Sequence, residues 1–411
     1  MSVVGSGRIG RGPLVAMLAG LTGITALSID MSLPAMPQLQ RVFGADVGST
    51  QLTLSLFLVG FAVGQLVCGP LSDRVGRKPV LLWGLALFVA AGLACSASPS
   101  LALLVAGRLV QGLGASVGPI LARAIVRDSF EERDASGVLS QITQVMIVAP
   151  LVAPTMGGYI LAFSGWQSIF LVLAAAGLLL WTVCWRLLPE TRRPHAERAP
   201  GLLESYRAVL THGASLRNVL TVCFSYAGMF AYISGSPFVL IDAFGVPREL
   251  FGLLFALPAG ALLAGATLNR ILVTRMESAR LLRTGVLLVF AAGVTIAALA
   301  SLGLGGVPGV LGPMMLYMLG MGLVHPNATA AAMAPHGRLA GVSSSVIGSL
   351  QTVGGALSGY VVGAFYDHSS LSLAVTVGVM GVATLLVHAT TRVRPRDAMR
   401  EAAGPPLAAE A

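Results

Sequence analysis

Two charged residues lie in sequence that is otherwise apolar. Asp30 falls in Ser28-Ile29-Asp30-Met31-Ser32-Leu33-Pro34, and Arg108 falls in Arg108-Leu109-Val110-Gln111-Gly112. Each charge costs about 2.5–3.5 kcal/mol if its segment crosses a membrane, and such residues mark functional sites by default. Taking a carboxyl out of water disfavours its charged form, and a nearby arginine or bound cation favours it again. Asp30 is therefore a candidate proton site whose protonation can be linked to substrate occupancy, with Arg108 as its partner in proton coupling. The alternative is a fixed Asp–Arg or Asp–backbone contact that only joins helices. A second cluster is Gly69-Pro70-Leu71-Ser72-Asp73-Arg74-Val75-Gly76-Arg77-Lys78-Pro79. The loop is short, Gly76 permits a positive φ, and Asp73 with the basic residues can pair with neighbouring helix ends.

The elements that position these residues follow from composition. The 411 residues are 55% hydrophobic and 10% charged, with mean hydropathy +0.83. Soluble chains carry roughly 25% charged residues, so a soluble fold is excluded, and a disordered chain is excluded by the same numbers. A membrane helix needs about 20 apolar residues. That ruler predicts twelve, α1 to α12, over 13–33, 50–70, 80–98, 101–124, 136–160, 166–188, 218–240, 250–270, 281–302, 309–332, 341–364 and 371–391. Arg8 and Arg11 before an apolar run imitate a secretory signal. Eleven further spans and Asp30 make it an uncleaved first helix instead.

The net charge is +9, from 26 basic and 17 acidic residues. With the N-terminus in the cytoplasm, only Arg41 and Arg248 fall on the opposite side and Arg108 falls within a span, which leaves 23 basic residues on the cytoplasmic side. That bias is the positive-inside pattern. The basic charge thus reads as membrane orientation, with both termini cytoplasmic, and not as a nucleic-acid footprint. The four cysteines show no CxxC or Cys/His spacing, so no metal site is expected.

The stretch 189–217 is polar and proline-interrupted. It divides an N-terminal six-helix half (1–188) from a C-terminal half (218–391), and 392–411 reads as a disordered cytoplasmic tail. Gly69-x-x-x-Asp73-Arg74 is echoed by Gly265-x-x-x-Asn269-Arg270, as in secondary transporters built from two repeats around a central site. By depth, Asp30 lies near the outer third of α1. Arg108 is about 7 residues into α4, roughly 10 Å at 1.5 Å per residue, so the two share a level. Gln111 lies one turn below Arg108. Gly60-x-x-x-Gly64, Gly114-x-x-x-Gly118 and Gly355-x-x-x-Gly359-x-x-x-Gly363 suit close helix packing.

The loop after α2 resembles the signature of the major facilitator superfamily. Ser28-Ile29-Asp30-Met31-x-Leu33-Pro34-Ala35-Met36-Pro37, Gln51-Leu52-Thr53-Leu54-Ser55, Gly64-Gln65-Leu66, Arg108-x-x-Gln111-Gly112, Val126-Arg127-Asp128 and Pro326-Asn327-Ala328 narrow the resemblance to the bicyclomycin-resistance (Bcr/CflA) branch of the drug:proton antiporters. The resemblance implies an all-α fold of twelve helices in two halves. It implies a gating loop of Gly69, Asp73, Arg74, Gly76, Arg77 and Lys78, and a helix 4 motif that includes Arg108. It implies an antiporter helix of Pro150, Pro154, Gly157 and Gly158, in which Ala149 and Ala153 depart from the general motif. In that fold α1, α4, α7 and α10 line the cavity. Gln111, Tyr226, Phe230, Tyr317, Met321 and His325 are then candidate lining residues, with lipid-facing or inter-helix packing as the alternative. His325 is either a satisfied buried histidine or a second proton site.

The expectation is a bacterial inner-membrane exporter that exchanges drug-like molecules for protons by alternating access. It works as a monomer in the bilayer and needs no cofactor beyond the proton gradient. The alternative is a transporter of one small metabolite. Enzyme chemistry is not expected, since no clustered carboxylates or His-rich site occurs and the cytoplasmic loops are too short for a separate active domain; no phosphate-binding loop occurs, so direct ATP coupling is not expected either.

Overall fold

The structure is a computed structural model that describes residues 10–192, 207, 210–335 and 340–390. The core of the predicted linker (193–206) and the predicted tail (392–411) lie outside the described residues. Twelve helices are long and apolar enough to cross a membrane, as expected. They are α1 (Arg11–Phe43), α2 (Val47–Val75), α3 (Arg77–Ser96), α4 (Leu101–Ser129), α5 (Glu132–Ser164), α6 (Trp166–Leu187), α7 (Gly213–Ala243), α8 (Arg248–Leu272), α9 (Ser278–Ser301), α10 (Gly306–Met333), α11 (Ala340–Ala364) and α12 (Leu371–Thr390). An even number of crossings puts Gly10 and Thr390 at one end. That end also carries Arg74, Arg77, Lys78, Arg192, Arg270 and Arg275, and is termed the basic end.

Several helices outrun the apolar ruler. Helix α2 continues through Ser72 and Asp73 to Val75, and α5 begins at Glu132. Polar residues end a hydropathy run without ending a helix. The larger difference is in α1, where the helix Arg11–Asp30 is followed by a 3-10 turn, Leu33–Ala35, and a second helix, Met36–Phe43. Pro34 and Pro37 sit in first turns, where a missing N–H costs nothing. Asp30 is therefore residue 20 of a 33-residue span and lies deeper than the outer third. Caps are local: Asp46 accepts from Ser49 N at 2.8 Å, and Gly76, at φ 116°, makes the one-residue turn from α2 to α3.

In the first half, α2 and α3 pack on α4, α6 on α3, and α5 on α1. In the second, α8 and α9 pack on α10, α12 on α9, and α11 and α12 on α7. Extensive contacts also join α2 to α11 and α5 to α8, which links one half to the other. Helices touch backbone to backbone where glycine removes the side chain. A Cβ at Gly60 would overlap the carbonyl oxygen of Leu109, and one at Gly112 that of Phe57, so α2 and α4 cross at van der Waals distance.

Gly112→Ala is expected to destabilise the protein by about 1–3 kcal/mol through overpacking, seen as a lowered thermal midpoint in detergent. Gly260→Ala, in α8 with nothing within 4 Å of the new Cβ, is the control and should be neutral or slightly stabilising. Equal effects of the two would refute the close-crossing account.

Candidate functional site

The centre of the first half is Arg108, with 0% of its surface exposed. Its Nη2 donates to Ser28 O (3.0 Å) and Nε to Thr53 O (3.2 Å), and Nη1 donates to Gln111 Oε1 (2.8 Å). Its guanidinium carbon lies 4.2 Å from the Phe57 ring centroid and 5.7 Å from that of Phe170. One side chain from α4 thus gathers α1, α2 and α6. The shared depth with Asp30 follows, since Ser28 is two residues from it.

Arg108 and Asp30 do not pair. Two residues along a helix is about 200° of rotation, so the carbonyl that Arg108 holds and the Asp30 side chain leave α1 in different directions. Asp30 is buried, and no hydrogen bond or ion pair to its carboxylate occurs among the described residues. It lies close enough to Tyr226 of the other half for its charge to act on the phenol. Next to it, a Cβ at Gly157 would overlap Met31 O, so α5 presses against the backbone that carries the carboxylate.

The other candidates separate. Tyr226 is half-buried and stacks on Phe230, centroids 4.8 Å apart, while Phe230 is buried against Gly355 of α11. Gln111 is fully buried between Arg108 and Gly92 of α3, so it orients the arginine and is not on a cavity wall. Tyr317 is fully buried too, its hydroxyl donating to Ser225 O (3.0 Å), and Met321 is in the same core. Both serve packing of α10 on α7. His325 Nε2 lies 3.3 Å from Gln351 Oε1 on α11. Pro154 is buried and Pro150 half-buried in a continuous α5, and Gly158 faces Arg248 O of α8.

The loop at the basic end is an ion-pair cluster. Arg77 Nη1 meets Asp73 Oδ1 at 2.6 Å and Ser72 Oγ at 2.6 Å, and Arg77 Nε meets Asp128 Oδ2 at 3.0 Å. Glu190 caps α3, its oxygens accepting from Arg77 N (2.8 Å) and Lys78 N (3.1 Å). Its carboxylate also complements the positive end of that helix. Arg74 lies exposed, its carbonyl accepting from Arg192 Nη1 (2.9 Å), and the Gly69 carbonyl accepts from Ser72 Oγ (2.7 Å). Asp128 and Glu190 had no assigned role in the sequence, although Asp128 stands in one of the branch stretches.

A third group also had no assigned role, although Gln51 and Ser55 stand in a branch stretch. At the end opposite the basic one, Gln51 Nε2 donates to Ser234 O (2.6 Å), Ser234 Oγ donates to Gln51 Oε1 (2.5 Å), and Ser55 Oγ donates to Ala356 O (2.9 Å). All bridge the halves. Gly48 abuts the Ala364 backbone here and Gly252 abuts Thr155. Lower on α2, the tip of Gln65 reaches toward Gly348. Among the described residues the halves therefore meet backbone to backbone at the far end and less closely toward the basic end.

Two six-helix halves joined at one end, with a buried mid-span carboxylate that has no ion pair among the described residues, are the plan of a membrane transporter. The chain belongs to the Major Facilitator Superfamily, whose profile matches residues 18–359. It is 29% identical to the bicyclomycin resistance protein homolog of Haemophilus influenzae (91% of this chain, 94% of that one) and 33% identical to the chloramphenicol resistance protein of Pseudomonas aeruginosa (84% and 82%). Among solved structures, a D-xylose–proton symporter superposes with TM-score 0.72 at 15% identity, covering 92% of this chain and 98% of that one, which supports the fold. The chain is thus a multi-pass bacterial membrane transporter and not an enzyme.

The far-end seam yields a test. Gln51→Ala removes two hydrogen bonds worth about 1 kcal/mol each, and should raise the open-to-closed ratio about thirtyfold. Spin labels at Val42 and Leu304, both exposed at that end, should report a longer and broader distance distribution by electron resonance. The native cysteines are buried and leave the labelling clean. An unchanged distribution would remove the pair from the closure.

Proposed function

We propose that this chain is a proton-coupled exporter of small, apolar, neutral or cationic drug-like compounds. It works as a single chain by alternating access and takes its energy from the proton gradient. The observation that carries this reading is the Asp30 carboxylate: buried mid-span and without a hydrogen bond or ion pair among the described residues. The names of the relatives, which refer to bicyclomycin and chloramphenicol resistance, support the choice of cargo. The arginine bias supports a basic end in the cytoplasm of the inner membrane, with both termini there. In that orientation the far-end seam is the outer gate, and the conformation described is open inward.

The steps follow from the groups present. Arg108 holds α1 through the Ser28 carbonyl and fixes the level of Asp30 without neutralising it. A proton or the cation of a substrate can each satisfy the carboxylate, and the two compete for it. Release of the Gln51–Ser234 and Ser55–Ala356 bonds then lets the outer ends part. The Arg77 cluster keeps the basic ends of α2, α3, α4 and α6 moving as one body.

Everted vesicles with an acid interior and a pH-sensitive dye test the reading. Antibiotics and lipophilic cations should release protons through the wild-type protein, and Asp30→Asn should abolish the response while folding normally. Undiminished exchange by Asp30→Asn would remove Asp30 from the coupling. A response to one polar metabolite alone would replace the drug reading by a narrow metabolite transporter.

A further inference from the structure

A groove between the basic-end halves of α3 and α6 borders the gating loop through Lys78 and Glu190 and opens away from the interface between the halves. It encloses about 590 Å3 and is lined by Lys78, Leu82, Trp83, Trp181, Trp185 and Glu190, among others. Three of the chain's four tryptophans are gathered here; the fourth, Trp166, is buried at the other end of α6. Trp181 and Trp185 are one turn apart and stack at 6.0 Å with planes 14° apart. Trp181 Nε1 donates to Leu82 O (3.1 Å), which ties α6 to α3 as the floor of the groove. Trp83 is 78% exposed and Trp185 53%, and neither indole N–H meets an acceptor among the described residues.

At the head of the groove is Lys78, the one lysine beside 25 arginines. Its Nζ donates to Trp185 O (2.8 Å), and a compact ammonium with three donors keeps two for a ligand. Glu190 is the only acid on the wall. Its two oxygens already accept from the backbone N–H groups of Arg77, Lys78, Thr191 and Arg192, so it does not compete for the ammonium. From Lys78 to Trp83 is five residues, about 8 Å along the helix, which spans the headgroup layer into the first acyl carbons. Exposed tryptophan at this depth belongs to the membrane interface, and basic clefts between helices on the basic side suit anionic headgroups.

We propose that this groove is a binding site for an anionic phospholipid. The phosphodiester sits against Lys78 Nζ with the free Trp185 indole N–H beside it, and the first acyl segment lies along Leu82, Trp83 and Ala86. The site stands on the bilayer-facing surface, so it holds whatever the transported compound is.

The tryptophans supply the readout. The full chain is reconstituted in phosphatidylcholine vesicles with increasing fractions of acyl-brominated phosphatidylglycerol, phosphatidylethanolamine or phosphatidylcholine, and indole quenching is followed. Phosphatidylglycerol should be preferred over both others about fivefold, the effect of one basic residue near a charged headgroup. Lys78→Gln should abolish the preference, and Trp83→Leu should reduce the amplitude of quenching. Because Lys78 also belongs to the gating loop, the wild-type preference is measured as well from 0.05 to 0.5 M salt, where screening should diminish it. Equal quenching by the three lipids, a preference that survives Lys78→Gln, or one indifferent to salt would each overturn the assignment.

Discussion

A guanidinium at mid-membrane must be surrounded by acceptors, because lipid offers none and its charge is not dispensable. Arg108 meets this requirement with two backbone carbonyls, one amide oxygen and the face of Phe57, and with no carboxylate. Those carbonyls belong to helices whose own ladders must tolerate the loan, and the helices must come close enough to offer them. Gly60 and Gly112 allow that approach between α2 and α4. The level of α1, the orientation of Gln111 and the freedom of Asp30 from any basic partner all follow from how this one arginine is solvated.

Much of this architecture is written in hydropathy. Twelve apolar runs and an arginine bias lead to twelve helices, because a bilayer admits only segments that satisfy their own backbone. The charged pair was visible for the same reason, as rare ionisable residues in apolar text. What was not visible is direction. A spacing places Asp30 and Arg108 at one level but does not say which way each leaves its helix, and here they diverge. Tyr317 and Met321 share a helical face suited to a cavity, yet the Ser225 carbonyl and the gap at Gly228 draw that face into the core. Gln51 and Ser55 stand in one of the branch stretches, but their partners, Ser234 among them, lie 183 or more positions away, so no local pattern announces their role. The extension of α1 to Phe43 was hidden by prolines that read as an ending and serve as a beginning.

The two halves solve the same corner differently. At the basic end of the first, Asp73, Arg77 and Asp128 lock α2, α3 and α4 by charge. In the second, Asn327 Nδ2 donates to Asn269 Oδ1 (2.6 Å) and Ser278 Oγ donates to Asn327 Oδ1 (2.5 Å), so α8, α9 and α10 are joined by a neutral chain. Asn269 stands where the repeat has Asp73. The halves therefore share geometry and differ in how salt and pH act on them.

Among the described residues the far-end seam has three hydrogen bonds across the halves, alongside small residues in contact. At about 1 kcal/mol net each, its polar part amounts to about 3 kcal/mol. One elementary charge crossing a membrane potential of 100 mV releases about 2.3 kcal/mol. The polar part of the fastening is thus of the same order as the electrical work on one charge, so a change in potential is large enough to act on it.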